Sequence, residues 1–461
     1  MSIVRQSTSA RGASTVARLV FAALLAAGSV AVPGFAEAAK KEAQPPAPAG
    51  PKFSKPVQKL LKASQDAFEK QDFPTSLTAA REALAAATTD DDKRFAMRFV
   101  YRCVVSLKDW PAAIASLKEY LASGLAEGDE TVRYTRVLTQ LHLQIKDYPG
   151  AIEWYQKYLP LAGSAATVED YDTATSVALN QKQPLLAAEI LQSFRAQRGD
   201  AALTERLLLL MNTAYYRAEK PADRRWVMVQ LLSRFAKPDY MYDYLALLMD
   251  GSTDERTLTN AFRLAYARNL MKKGSQYTEF AEKLLNQGSP GEAVEVLEAG
   301  VSSGAIKQPN DTAKSLLDQA RPLAADDRKG TPAYDKEARA KQNGELDVKL
   351  GLGYVGQKQF EKAVEAVARG LQPERIAKVK RVDESRLLLG YAYYRLGRMD
   401  EAKAAFAAAG EDARAAELSR LWIALLDADA AAKAAAAAAE VAASAPPAPA
   451  PAVTPAPAPP K

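Results

Sequence analysis

One cysteine, Cys103, and one histidine, His142, are all that 461 residues provide, and each scarcity closes off a class of chemistry. A lone cysteine forms no disulfide within the chain, so no covalent framework holds the fold. With a single histidine, neither a His-based triad, nor a multi-His metal site, nor a His proton relay can be assembled in one chain. Aromatics are few, at 8%, and runs of Val, Ile and Thr are too sparse to build a sheet of ordinary size. There is no glycine-rich phosphate loop, no Cys-x-x-Cys pair and no Gly-x-Ser-x-Gly elbow. The run from Gly351 to Gly356 has the wrong spacing for a nucleotide fingerprint. These absences predict no catalytic residue, no metal ligand set and no cofactor, although a glycosidase-like pair among the many carboxylates stays open. Charge of one dominant sign is lacking too. The net +6 from 61 basic and 55 acidic residues is small and dispersed, which gives no footprint for nucleic acid.

What the sequence has is a 48% hydrophobic content rich in alanine, enough for globular burial and suited to an all-α chain. Residues 1–39 read as a signal peptide: an Arg-bearing stretch, an apolar core from Leu19 to Val32, the breaker Pro33-Gly34, and small residues at Ala36 and Ala38. The competing reading is an uncleaved anchor, against which the core is short for a bilayer. Removing the signal takes three arginines and Glu37 and brings the charge from +6 to +4. No later segment is long and apolar enough to span, so a periplasmic body without an integral span is expected. Residues 40–56 are a Pro/Ala/Lys linker. Residues 428–461 are an Ala-rich run followed by a Pro-Ala tract, a disordered tail or a tether that would reach roughly 50 Å beyond Ser444 in polyproline form.

The strongest signal is a recurring turn: Gln71-Asp72-Phe73-Pro74, Lys108-Asp109-Trp110-Pro111 and Lys146-Asp147-Tyr148-Pro149, continued by Pro184 and Pro221. The prolines step by 37, 38, 35 and 37 residues, the length of one helix, a tight turn, a second helix and a return. Proline fits the first helical position, where its missing N–H costs nothing, and the aspartate ahead of it can cap the opening turn.

Near the C-terminus the pattern sharpens in Leu389-Gly390, Tyr393, Gly397, Ala402, Phe406 and Ala409. These residues resemble the tetratricopeptide repeat, whose small residues sit where two helices touch and whose large ones fill the space between. Gly351, Tyr354 and Ala363 fit the same frame. The resemblance implies a right-handed α-solenoid of about nine or ten helix pairs, residues 57–305 and 345–427, closed by an amphipathic capping helix with Leu418, Leu421, Trp422 and Leu425 on one side. Between them, residues 306–344 read as a degenerate repeat or hinge, because Pro322, Gly330 and Pro332 should interrupt a long helix.

A solenoid leaves a concave surface for extended peptides or partner helices. By the repeat's register, Arg98 and Arg102 fall on the groove side of one repeat, and Arg133, Arg136 and Gln140 on that of the next. One helical turn separates each arginine pair, so four guanidinium groups could form a patch for acidic side chains or a chain terminus. The competing reading is a solvated basic face beside local acids. A second candidate comprises Asn212, Tyr215 and Tyr216 with Tyr240, Tyr242 and Tyr244, for which core packing is the stronger alternative. More widely, residues 55–426, including KPDYMYDYLALL and SPGEAVEVLEAGVSSG, resemble periplasmic repeat proteins encoded beside TonB, ExbB and ExbD. That resemblance implies a non-enzymatic adaptor whose partners are envelope proteins such as the TonB/ExbB/ExbD components. A cell-envelope assembly factor for peptidoglycan or the outer membrane, and a hydrolase using unrecognised carboxylates, are the alternatives.

Overall fold

At each Asp-aromatic-Pro turn the aspartate accepts the backbone N–H three residues ahead: Asp72 from Thr75, Asp109 from Ala112 and Asp147 from Gly150, with proline following in the first turn. In the computed structural model, residues 53–444 are described, apart from Ser252. The expected signal segment, most of the expected linker and the Pro-Ala tract lie outside the described residues. Among those described are twenty α-helices and no strand, an α-solenoid in two units, residues 1–218 and 219–461.

The first unit contains α1 (Lys55–Glu69), α2 (Phe73–Ala85), α3 (Asp90–Ser106), α4 (Trp110–Ala122), α5 (Glu130–Gln144), α6 (Tyr148–Ala162), α7 (Val168–Asn180), α8 (Pro184–Arg198) and α9 (Glu205–Arg217). Each helix packs on the next in sequence, and α1 also meets α3, as α7 meets α9. Every pair therefore shares its apolar face with its neighbours, the arrangement of a linear repeat. Tyr101, Leu117, Tyr120, Tyr134, Leu138 and Leu141 form one such interior between α3, α4 and α5.

The second unit contains α10 (Pro221–Phe235), α11 (Pro238–Asp250), α12 (Glu255–Ala267), α13 (Gly274–Asn286), α14 (Pro290–Ser302), α15 (Asp311–Lys341), α16 (Gly344–Gly356), α17 (Phe360–Gly370), α18 (Val382–Arg395), α19 (Met399–Ala409) and α20 (Ala416–Ser444). Two features depart from the sequence expectation. Where an interruption was expected, α15 runs as one helix through Pro322, Gly330 and Pro332. Both prolines are exposed, as are Asp318 and Arg328, whose carbonyls the prolines leave without an intrahelical donor on a face open to solvent. The capping helix α20 also does more than cover α19. It packs against α10 and α12, while α12 meets α18, so the unit closes on itself.

The repeated turn owes its tightness to a backbone feature that composition conceals. Gln71, Lys108, Lys146, Lys182, Glu219, Gly288, Lys358 and Gly397 all have positive φ. The residue after each of seven of these bonds back across the helix end, as Asp72 N–H does to the Ala67 carbonyl, Asp109 to Val104 and Asp147 to His142. That is the Schellman closure, which satisfies helix carbonyls and reverses the chain in three residues. Lysine tolerates this left-handed position at a cost of about 1–2 kcal/mol. Gly397 avoids the cost.

The small residues of the repeat frame lie where helices touch. A Cβ at Gly390 would lie 2.5 Å from the Phe406 ring, and one at Gly351 2.2 Å from Val367. Ala363, Ala402 and Phe406 are fully buried and Tyr354 nearly so, whereas Tyr393 is half-buried beneath the Arg398 guanidinium, 4.7 Å from the ring centre. Phe406 cannot retreat, because Trp422 stacks on it at 4.7 Å. Urea unfolding should therefore rank three substitutions. Gly390→Ala loses stability, since overpacking of about 1–3 kcal/mol exceeds the roughly 1 kcal/mol gained in helix propensity. Gly397→Val loses about 1–2 kcal/mol to its left-handed backbone. Gly330→Ala, with open space around it, gains about 1 kcal/mol.

Candidate protein-interaction site

Along the first helices of the first unit, arginines and acids form a ladder between repeats. Glu130 opens α5 and is buried; it accepts the Tyr120 hydroxyl from α4 at 2.6 Å and lies 3.5 Å from Arg98 of α3. One repeat later Asp170, in the first turn of α7, accepts the Tyr158 hydroxyl from α6 and Arg136 Nε from α5, both at 3.0 Å. The residues 98, 120 and 130 thus recur as 136, 158 and 170. Each acid joins three successive helices. Burial first, then the adjacent carboxylate, pushes the Tyr120 and Tyr158 phenols up, so both remain hydroxyl donors. Asp170 also completes a capping box with Thr167.

The ladder settles where the arginines point. Arg98 and Arg133 share Glu130, the latter at 3.3 Å, and Arg136 takes Asp170. These three guanidinium groups keep a quarter to a third of their surface exposed. Arg102 differs. It stacks over Phe68 at 4.0 Å and near Phe99 at 5.6 Å, and among the described residues it has no carboxylate partner. Gln140 is half-buried on α5, and Asn212 likewise on α9. Tyr215 is buried, its hydroxyl accepting from Gln192 at 3.0 Å, while Tyr216 beside it is exposed. Cys103 is buried against Ser76 Oγ at 3.1 Å, and burial pushes its thiol up, which disarms it as a nucleophile.

In the second unit the tyrosines and arginines are matched within the unit. Of its tyrosines, Tyr240 and Tyr244 are buried and Tyr242 lies under the Lys273 ammonium at 3.3 Å. The Tyr244 hydroxyl donates to Glu417 of α20 at 2.6 Å, and Arg225 Nε donates to the same oxygen at 2.7 Å. A cavity of about 110 Å³ is bordered by Arg256, Arg263, Arg381 and Glu384, but its charges are matched internally. Arg256 and Arg381 meet Glu384, and buried Arg263 is forked on buried Glu292 at 2.9 Å. Among the described residues no group of three or more His, Cys, Asp or Glu is placed to hold a metal ion, and no helix is long and apolar enough to cross a membrane.

The buried acids were missed from sequence, yet Asp92, Glu130 and Asp170 recur at 38 and 40 residues, and Asp347 and Asp383 at 36. All five lie in the first turn of a helix and are buried. Their role is structural, which a deletion of one hydroxyl can read. Tyr158→Phe should cost about 1–3 kcal/mol in urea unfolding, the value of a hydrogen bond to a buried charged group, with the helical circular-dichroism spectrum of the native state unchanged.

Residues 383–409, spanning α18 and α19, match the family model described as Tetratricopeptide repeat. No curated protein matches the sequence. Among solved structures the chain is similar to a tetratricopeptide repeat protein from Parabacteroides merdae, with 11% identity over 58% of this chain and 100% of that one and a TM-score of 0.27. It is also similar to the TPR2AB domain of yeast Sti1 in complex with pHSP90, with 13% identity, 57% and 98% coverage and a TM-score of 0.30. Yeast Tom70 gives 11% identity, 82% and 96% coverage and a TM-score of 0.20. Superpositions this loose carry no argument about function. Residues 383–409 are thus one tetratricopeptide repeat, and the helix pairs before them are closed by the same left-handed turn.

Proposed function

We propose that the chain is a non-enzymatic protein-interaction scaffold, exported to the periplasm, that docks on envelope proteins of the TonB/ExbB/ExbD kind through the inner strip of its first unit. A repeat solenoid supports the scaffold reading, because its stacked first helices present one continuous face. The observation that carries the docking site is Arg102. Its neighbours are held by Glu130 and Asp170, whereas Arg102 has only the Phe68 and Phe99 rings beneath it. A guanidinium fixed on an aromatic face is pre-organised and still offers its N–H fork to an incoming carboxylate. Arg98, Arg133 and Arg136 flank it with partly exposed edges, which favours an acidic peptide or a chain terminus. The export reading rests on the signal-like residues 1–39.

The test is affinity capture from envelope extract with the chain lacking residues 1–39 as bait, quantifying TonB, ExbB and ExbD. The wild-type chain should enrich them. Arg102→Glu should lower that enrichment about tenfold, equivalent to about 1.4 kcal/mol, without altering the melting curve by more than the loss of a half-buried cation–aromatic contact. Equal capture by both forms would remove Arg102 from the site. Repeated recovery of cell-wall enzymes with no transport component would replace the proposal with the envelope-assembly reading.

A further inference from the structure

Where the second unit closes on itself, α12 meets α18 and α18 meets α16, and the cavity of about 110 Å³ lies among these three helices. Residues spaced by three, four and seven give each helix one face toward it. Helix α12 brings Arg256, Asn260 and Arg263, and α16 brings Glu345, Val348, Lys349 and Leu352. Helix α18 brings Glu384 and Leu388, with Arg381 just ahead of its first turn.

Charge is balanced in this cavity, but hydrogen bonding is not. Asn260 is only 7% exposed, and its amide oxygen is fixed by Arg263 Nη1, a pure donor, at 3.0 Å. The amide N–H groups have no acceptor among the described residues. Arg381 Nε is buried without an acceptor, and Arg256 makes one bond, to Glu384 at 3.5 Å, beyond the ordinary range. Two carboxylate oxygens are in the converse position. Glu384 Oε1 is buried without a hydrogen bond, with Arg381 Nη2 in contact at 2.5 Å but out of alignment. Glu345 accepts the Lys380 N–H through Oε2, while Oε1 has the Lys349 ammonium at 4.0 Å. Burial, offset in part by Arg381 and Arg256, holds the Glu384 carboxyl above its usual range, as for an anion short of positive partners.

We infer that this cavity is a binding site for a small zwitterion, a free α-amino acid with a short aliphatic side chain. The ligand carboxylate answers the donors of Asn260, Arg381 and Arg256. Its ammonium answers the free oxygens of Glu384 and Glu345, and its side chain meets Val348, Leu352 and Leu388. A ligand of net charge fits less well, because Arg256, Lys349 and Arg381 are already matched in number by Glu384, Glu345 and Asp254. A lone anion or cation would leave one member of that set unpaired, whereas a zwitterion gives each sign a partner. The volume, against about 300 Å³ or more for a drug-sized ligand, admits one compact amino acid and excludes a peptide. The site lies wholly in the second unit and does not depend on Arg102 or on any envelope partner.

Equilibrium dialysis of the full chain against radiolabelled valine reads the site, with isovalerate and isobutylamine as the same molecule lacking the ammonium or the carboxylate. Valine should bind saturably, one per chain, with a Kd of about 1 mM or lower. Each analogue should bind at least about tenfold more weakly, because it leaves a buried group unpaired. Arg256→Ala, at a residue 52% exposed, should keep the helical circular-dichroism spectrum, weaken valine about tenfold and leave isobutylamine unchanged. Glu345→Gln, which keeps an oxygen for the Lys380 N–H, should weaken valine and leave isovalerate unchanged, and it carries the test alone if Arg256→Ala disturbs the spectrum. Absence of saturable valine uptake would overturn the inference, as would equal uptake of valine and isovalerate. Valine bound equally by wild type and both variants would lie elsewhere, which overturns it too.

Discussion

A carboxylate buried at the start of a helix is the constraint on which the stacking depends. Helix pairs with generic apolar faces can slide against each other, since leucine packs on leucine in many registers. A charge in the interface ends that freedom, because an unpaired buried carboxylate costs several kcal/mol. Beyond their local partners Arg133 and Thr167, Glu130 takes Tyr120 and Arg98 and Asp170 takes Tyr158 and Arg136, bonds across helices that only one register allows. In the second unit Asp347, with no exposed surface, takes Arg369 and Arg375 at 2.8 Å each. These bonds add modest net stability. They fix which pair sits where, and so fix the line of first helices that a partner would meet.

The same bonds sort the basic residues. On sequence alone Arg98, Arg102, Arg133 and Arg136 look equivalent, four arginines one turn apart in adjacent repeats. In the structure Arg98 and Arg136 bridge successive repeats, Arg133 pairs within its own helix, and Arg102 rests on aromatic rings. The reading of a basic face beside local acids thus describes three positions, and the reading of an available cation describes Arg102. Spacing could not separate Arg98 and Arg136 from Arg102, because what distinguishes those two is an acid 32 or 34 residues away; Arg133 meets Glu130 of its own helix.

The legible part of the fold was whatever is local. Asp72, Asp109 and Asp147 cap the helices they precede, and Gly390 lies against Phe406 as a small residue inside a helix ought to. Less legible was the left-handed residue of each turn, since lysine or glutamine fills it at five positions where glycine would have announced it. The period of the buried acids was present in the numbering but lost among 55 acidic residues. Prolines misled at α15, because their helix-breaking cost assumes that the freed carbonyl stays dry, and on an exposed helix it does not. Nothing local signalled that α20 would return to α10.

That return obeys a different balance from the ladder. Arg136 and Asp170 are 34 residues apart, whereas Arg225 and Glu417 are 192 apart. On the logarithmic dependence of loop closure, the longer connection costs roughly 1.5 kcal/mol more chain entropy. A part-exposed ion pair contributes only about 0–1 kcal/mol, so neither Glu417 nor Asp429 can hold α20 in place by charge alone. Burial of Leu418, Leu421, Trp422 and Leu425 must supply the affinity, at about 1.5–3 kcal/mol for each large apolar side chain taken fully from water. The two acids then decide direction and register, which apolar contact leaves loose. Closing the second unit therefore waits until the helices between α10 and α20 have folded and shortened the connection, whereas the first unit can assemble from neighbours alone.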